Sequence, residues 1–282
     1  SVFTTTSGAT GLLALFQSEL VRPFDQASIA ARVSTTLRTD SARIEVPVIT
    51  EDADAGWYAE GAEIATDDPA FNTITVVPRK LAGLTAISNE TIMSANRNAV
   101  SMGLDSLVRD IATKLDAAYF GNLAAPAPAG LGALVGVTAL TSDLTTLDVF
   151  DEARIEATKL GESIGSFVTD PDTLLSLATA KESTTSRRPL LQPAVSESAV
   201  RERDAVTLTV SGVPVYASPA VEPGIIWGIP KRTSVLVVSG EPDVASSSDA
   251  FKNDLTYVRA TLRVGFAFTR PAAIAKVTVE TV

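Results

Sequence analysis

The chain has 282 residues, enough for one large or two medium domains with a sizeable core. At 45% hydrophobic, 20% charged and 6% aromatic residues it has an ordinary globular composition, which excludes wholesale disorder, collagen and a coiled coil. Its 33 acidic against 23 basic residues, with no His, give a formal charge of −10, so the general basic footprint of a nucleic-acid binder is missing.

Residues 1 to 10 are rich in Thr, Ser and Gly, carry little to bury, and read as an extended arm. Leu12, Leu13, Leu15, Phe16 and Leu20 then give a short amphipathic helix that ends near Pro23. Between Ala42 and Thr50, Ile44, Val46 and Val48 alternate with Arg43, Glu45 and Pro47, the pattern of a strand with one buried face. Pro47 confines that strand to a sheet edge or a protruding hairpin. A second extended run covers Phe71 to Leu84. The join from Glu51 to Asp68 is too long for a tight turn. It holds Glu51, Asp52, Asp54, Glu60, Glu63, Asp67 and Asp68 and no Lys or Arg, so the pair reads as a projecting, acidic, two-stranded loop.

Ser88 is placed to cap a helix, with Ile87 set to staple onto Ile92. Val100, Leu104, Leu107, Val108, Ile111, Leu115 and Tyr119 form one apolar stripe of a long helix capped by Gly121, with Asn96-Arg97-Asn98 a candidate interruption near its start. Pro126, Pro128, Gly130, Gly132 and Gly136 mark an internal boundary, after which a new unit begins near residue 135. That unit reads as a helix over Thr146–Leu160, a strand over Ser166–Thr169, and a helix through Ala180 opened by Asp170 and Pro171. The polar stretch Lys181–Arg203, with Arg187-Arg188-Pro189, reads as a mobile surface loop. Strands follow near Val206–Val210, Val213–Ala217, Ile225–Ile229 and Ser234–Val238. Over Leu255–Thr269, Val258, Ala260, Leu262, Val264, Phe266 and Phe268 share one face and Tyr257, Arg259, Thr261 and Arg263 the other, giving a long half-buried strand. Pro271 ends it and Ala275–Val282 returns as another strand; there is no tandem repeat.

The absence of both His and Cys removes Ser-His-Asp and Cys-His nucleophile systems, conventional zinc, haem and iron–sulfur sites, and any disulfide. Oxygen-ligand metal binding, carboxylate pairs and lysine chemistry survive. Glu51, Asp52, Asp54, Asp67 and Asp68 offer oxygen ligands for calcium, but EF-hand spacing is missing and a solvated acidic loop is the better reading. Gly130 to Gly136 has the wrong spacing for a dinucleotide loop and follows a Pro-rich linker rather than a strand. No catalytic, cofactor-binding or metal-ligating residue is assigned. No apolar run of about 18 residues and no basic-then-apolar leader is visible, so no membrane partner is expected. Arg259 and Arg263 share a strand face and suit either a neighbouring subunit or an intrachain ion pair; Trp57 and Trp227 suit either interface anchors or core. An arm and a projecting hairpin bury their apolar faces only against neighbours, which favours a large homo-oligomer.

One run is more specific: Trp57-Tyr58-Ala59-Glu60-Gly61, Pro69-Ala70-Phe71, Pro78-Arg79-Lys80-Leu81-Ala82, then Ile87-Ser88-Asn89-Glu90. With Leu115-Asp116-Ala117-Ala118-Tyr119-Phe120-Gly121, Val258–Phe266 and Arg270-Pro271-Ala272-Ala273-Ile274, it resembles the tailed-bacteriophage major capsid proteins of the HK97 fold over essentially the whole chain. The resemblance implies an α+β HK97-like fold: an N-terminal arm (1–40), an extended β-hairpin loop (41–82), a peripheral domain with a long spine helix (83–135), a mixed α/β axial domain (136–254) and C-terminal strands returning to the peripheral domain (255–282). It implies a structural protein that assembles as pentamers and hexamers into an icosahedral shell around double-stranded DNA, located in the virion and assembled in the host cytoplasm. Scaffolding protein or a cleaved scaffolding segment, portal and decoration protein are the implied partners. The intersubunit contact candidates are Trp57, Glu60, Glu63, Asp67, Asp68, Arg79, Lys80, Arg187, Arg188, Arg259 and Arg263.

Some relatives join a Lys of the extended loop to an Asn of a neighbour. Here no Lys occurs from Glu51 to Pro78, and Asn253 alone cannot make that bond, so a shell without such crosslinks is expected. Encapsulin and gene-transfer-agent shells share the fold and remain alternatives. A carboxylate-based hydrolase is the alternative of another class. Without His, an acid-triggered change would have to use carboxylates of raised pKa.

Overall fold

The computed structural model describes residues 28–51, 57–61, 70–88, 97–180, 191, 208–250 and 255–280. Residues 1–27 of the expected arm, with the helix expected there, most of the acidic join and the Arg187-Arg188 stretch lie outside the described residues.

A four-stranded sheet has the order β1 (Thr35–Thr39), β10 (Ser234–Ala250), β11 (Leu255–Phe268), β4 (Arg79–Ser88); β1 runs parallel to β10, and the other pairings are antiparallel. The alternation read in β11 is realised: Ala260, Leu262, Val264, Phe266 and Phe268 are buried, while Arg259 and Arg263 face outward. The buried face packs on a long helix, α2 (Arg97–Phe120), through Val108, Ile111, Leu115 and Tyr119. Helix and sheet approach closely because Gly83 of β4 has no Cβ; one placed there would lie 2.5 Å from Leu107 Cδ1. Tyr119 centres this core, its ring 5.0 Å from Phe120 and 5.1 Å from Phe266, both edge to face. The helix is continuous from Arg97, and the Gly121 N–H closes its end on the Ala117 carbonyl at 3.1 Å.

A two-stranded hairpin of β2 (Ile44–Glu51) and β3 (Ala70–Val76) stands on the other face of this sheet. Val76 sits over Gly265, where any Cβ would collide with it, and joins Val237 and Ala267 in a small core flanked by Ile44, Val46 and Ile74. The run expected over Phe71–Leu84 is therefore two strands. Pro78 offers no N–H to a ladder, and at Val77-Pro78 the chain leaves the hairpin for the edge of the four-stranded sheet. Ile87 and Ser88 end β4, paired with Thr256 and Leu255; the helix start expected after them lies outside the described residues.

The second sheet has six strands in the order β5 (Thr138–Ser142), β12 (Ala275–Val279), β9 (Ile225–Ile229), β6 (Ser166–Thr169), β8 (Val213–Ala217), β7 (Leu208–Val210). Every residue of β6 and β9 is buried. Helices α3 (Asp148–Lys159) and α4 (Pro171–Thr179) contribute Phe150, Leu174 and Leu177 to its core, with Phe150 edge to face on Phe167 at 4.9 Å. Asp170 caps α4 as expected, accepting from the N–H groups of Asp172 and Thr173 at 3.0 Å each. Leu191, inside the stretch read as a surface loop, is buried in this core.

Two strands differ from expectation. β10 does not stop at Val238: Gly240 takes a φ of 74° at a bulge between Ser239 and Asp243, and pairing with β11 then resumes. The segment 255–282 does not return as one block, because β11 lies against the long helix whereas β12 enters the six-stranded sheet between β5 and β9.

Candidate assembly surfaces

The N-terminal segment is fastened to the long helix by one carboxylate. Asp116 Oδ1 accepts from the Ser28 hydroxyl at 2.6 Å and from the Ala30 N–H at 3.0 Å, and Oδ2 accepts from the Ile29 N–H at 3.1 Å. It thereby caps the first turn of the short helix α1 (Ile29–Val33) from 86 residues away. Burial raises the Asp116 pKa above its ordinary value, and the bonds from Ser28, Ala30 and Ile29, with the charge of Arg32, pull the other way without cancelling it. Sequence reading quoted Asp116 in a motif but missed this role. The available signal was its neighbours one turn away, Ala112, Thr113, Tyr119 and Phe120, none of which carries a charge.

The outward face of the four-stranded sheet collects three of the expected contact residues near one edge: Lys80, Arg259 and Arg263. Lys80 stands directly opposite Arg263, and Arg259 opposite Leu84. Lys80 and Arg263 have no ion-pair partner among the described residues, and like charges in direct register weaken a sheet. Leu84 is 65% exposed beside them. Arg79 pairs with Val264 and so belongs to the helix-facing side, at its open end. Of the acidic candidates, Glu60 is exposed and Trp57 is fully so at 105%, whereas Trp227 is core at 3%. Glu63, Asp67, Asp68, Arg187 and Arg188 lie outside the described residues.

Two clefts flank these surfaces. One of about 390 Å³ lies between the start of β4, the end of α2 and residues 123–128; Leu81, Leu115, Ala118 and Pro126 give it an apolar lining, and Arg79, Lys80 and Lys114 stand around it. The other, about 290 Å³, lies where Pro47 and Val48 of the hairpin face Glu162, Arg232 and Arg270. There Arg270 donates to the Leu160 carbonyl and approaches Glu162 at 3.9 Å. Among the described residues no three acidic side chains gather as a metal site, and no helix is long and apolar enough to cross a membrane.

A model of the phage capsid family matches residues 11–279. The chain belongs to the phage capsid family. Solved structures with the same fold include a Microbacterium phage Oxtober96 chain, at TM-score 0.69 and 15% identity over 90% of this chain and 91% of that one. A Mycobacterium phage Adephagia chain matches at TM-score 0.67 and 13% identity, with 90% and 91% covered. The capsid of an empty GTA particle matches at TM-score 0.66 and 15% identity, with 90% of each chain covered. Comparison with curated protein sequences gives no significant match. The capsid protein has the HK97-like fold that the motif run pointed to, and it is a structural protein that assembles with copies of itself.

Proposed function

We propose that this capsid protein forms, as pentamers and hexamers, the icosahedral shell that encloses double-stranded DNA in a virion, after assembly in the host cytoplasm. The observation that carries the reading is the family match over 11–279 on a chain whose hairpin and sheet face end in exposed, charged surface. A net charge of −10 suits a container whose contents must not adhere, because phosphate contacts need Lys and Arg.

In this reading residues 1–40 are the arm, 41–82 the extended loop, 83–135 the peripheral unit and 136–254 the axial unit, except that β10 (Ser234–Ala250) joins β11 in the four-stranded sheet while β12 joins the six-stranded one. Trp57, Glu60, Glu63, Asp67 and Asp68 serve one side of the subunit contacts, and Arg79, Lys80, Arg187, Arg188, Arg259 and Arg263 the other. The shell is held without Lys–Asn crosslinks, since no Lys occurs from Glu51 to Pro78. Scaffolding, portal and decoration proteins are its proposed partners. A gene-transfer-agent shell is the second reading, favoured by the GTA capsids among the solved neighbours.

Electron microscopy of the purified protein, with nuclease-protected DNA assayed on source particles, tests the proposal. Closed shells of uniform diameter holding protected DNA are expected, and host DNA inside would favour the transfer agent. Monomers under all assembly conditions, with no shells from the source, would overturn both readings.

A further inference from the structure

An apolar cleft with a cationic margin and a fully exposed aromatic on an acidic segment are complementary features of one chain. The cleft holds about 390 Å³, and among the described residues no Asp or Glu lines it. Its lining is mainly carbon, from Leu81, Leu115, Ala118 and the Pro126 region, and the charges on its side of the sheet, Arg79 and Lys114, are both positive. Two cations brought to one apolar opening repel one another and gain when a negative group approaches.

Trp57 supplies the opposite half. It is 105% exposed, so its indole packs on none of the described residues of its own subunit. An indole removed from water buries on the order of 200 Å². Tryptophans of this kind are among the side chains most enriched at the centres of interfaces. Its segment, Glu51 to Asp68, carries seven acids and no Lys or Arg, of which Glu60 is exposed close by.

We infer that Trp57 of one subunit seats in the Leu81–Leu115–Pro126 cleft of a second copy, with Glu60 of its segment on the side of Arg79 and Lys114. The inference rests on the shell reading, because it needs a neighbouring copy, and it names the anchor of that contact. The indole supplies the buried apolar area. The surrounding charges fix orientation and speed encounter more than they add affinity. The contact therefore weakens in high salt while the indole remains its core.

The test places the photoreactive amino acid p-benzoylphenylalanine at position 57 of the full chain, at a site whose exposure spares the fold. Shells are assembled from mixed isotopically light and heavy chains, checked by electron microscopy, irradiated and digested. The expected product joins position 57 of one isotope to residues 79–81 or 114–128 of the other, and Lys114→Glu lowers its yield about tenfold or more. Trp57→Ala raises the concentration needed for half-assembly about tenfold, and Trp57→Phe restores part of the loss. Intact shells that crosslink position 57 only elsewhere, only within one copy, or not at all would overturn the anchor and leave the shell reading standing. Failure of even the unsubstituted chain to form shells would overturn both.

Discussion

The two sheets differ in what they leave uncovered. In the six-stranded sheet, β6 and β9 are buried along their whole length, and the core around Phe150 and Phe167 is closed by the chain's own helices. In the four-stranded sheet one face is sealed by the long helix, while the other is only partly covered by the hairpin and leaves Lys80, Arg263 and Leu84 in solvent. The first is organised for its own stability, and the second keeps a like-charged pair in register where a self-contained sheet would place a counter-ion. That contrast separates the part of the subunit that holds itself together from the part that the proposed function gives to subunit contacts.

The largest effect should come from breaking the closed sheet. Phe167→Ala removes a fully buried ring and should cost about 3–5 kcal/mol, read as a drop in the urea midpoint and loss of folded monomer before any question of assembly arises. Next is the latch on the long helix. Asp116→Ala leaves the buried Ser28 hydroxyl and the Ile29 and Ala30 N–H groups without their acceptor and should cost about 1–3 kcal/mol in the same titration.

The two capping aspartates sharpen the comparison because their pH dependences have opposite sign. Asp116 has a raised pKa, so the fold binds its proton more tightly than the unfolded chain does; that contribution is complete below the ordinary value of 3.8 and is lost as pH rises through the folded value. For Asp170, desolvation would raise the pKa, but the bonds from Thr173, Gly224 and Asp172 outweigh it and the net shift is downward. Its contribution is present above 3.8 and lost as pH falls through the depressed value. On acidification the stability of the parent relative to Asp116→Asn should therefore rise, and relative to Asp170→Asn it should fall. Urea midpoints between about pH 6 and about pH 3 check both slopes, and parallel slopes would refute the assignment.

The smallest effect on folding belongs to the open face. Lys80→Glu creates a cross-strand ion pair with Arg263 and should stabilise the isolated subunit by about 0.2–1 kcal/mol while lowering the yield of shells. A variant that gained stability and assembled as well as the parent would remove the case for this face as a contact surface.

Features set by neighbouring residues were legible before the structure. The alternation from Ala260 to Phe268 and the Asp170-Pro171 helix opening depend on spacing alone, and both are realised. The break at Pro78 was also present in local chemistry, yet the Thr- and Val-rich residues on either side made one run of two strands. What spacing could not carry was partnership. The length of β10 depends on β11 continuing beyond the Gly240 bulge, and the position of β12 depends on β5 and β9, distant in the chain. Asp116 caps a helix that lies 86 residues before it, so its uncharged neighbours could mark it as unusual but not name its partner. On the proposed contact surface, Lys80, Arg259 and Arg263 were legible as residues, but that Lys80 faces Arg263 follows only from the register.

Hydroxyl-radical footprinting of dissociated subunits and assembled shells, read at Leu84 with Phe167 as the buried reference, tests most directly whether the open sheet face is an assembly surface. Leu84, 65% exposed in the subunit, should lose most of its reactivity on assembly while Phe167, at 0%, stays unreactive in both. Leu84 labelled equally in subunits and in closed shells would contradict the account.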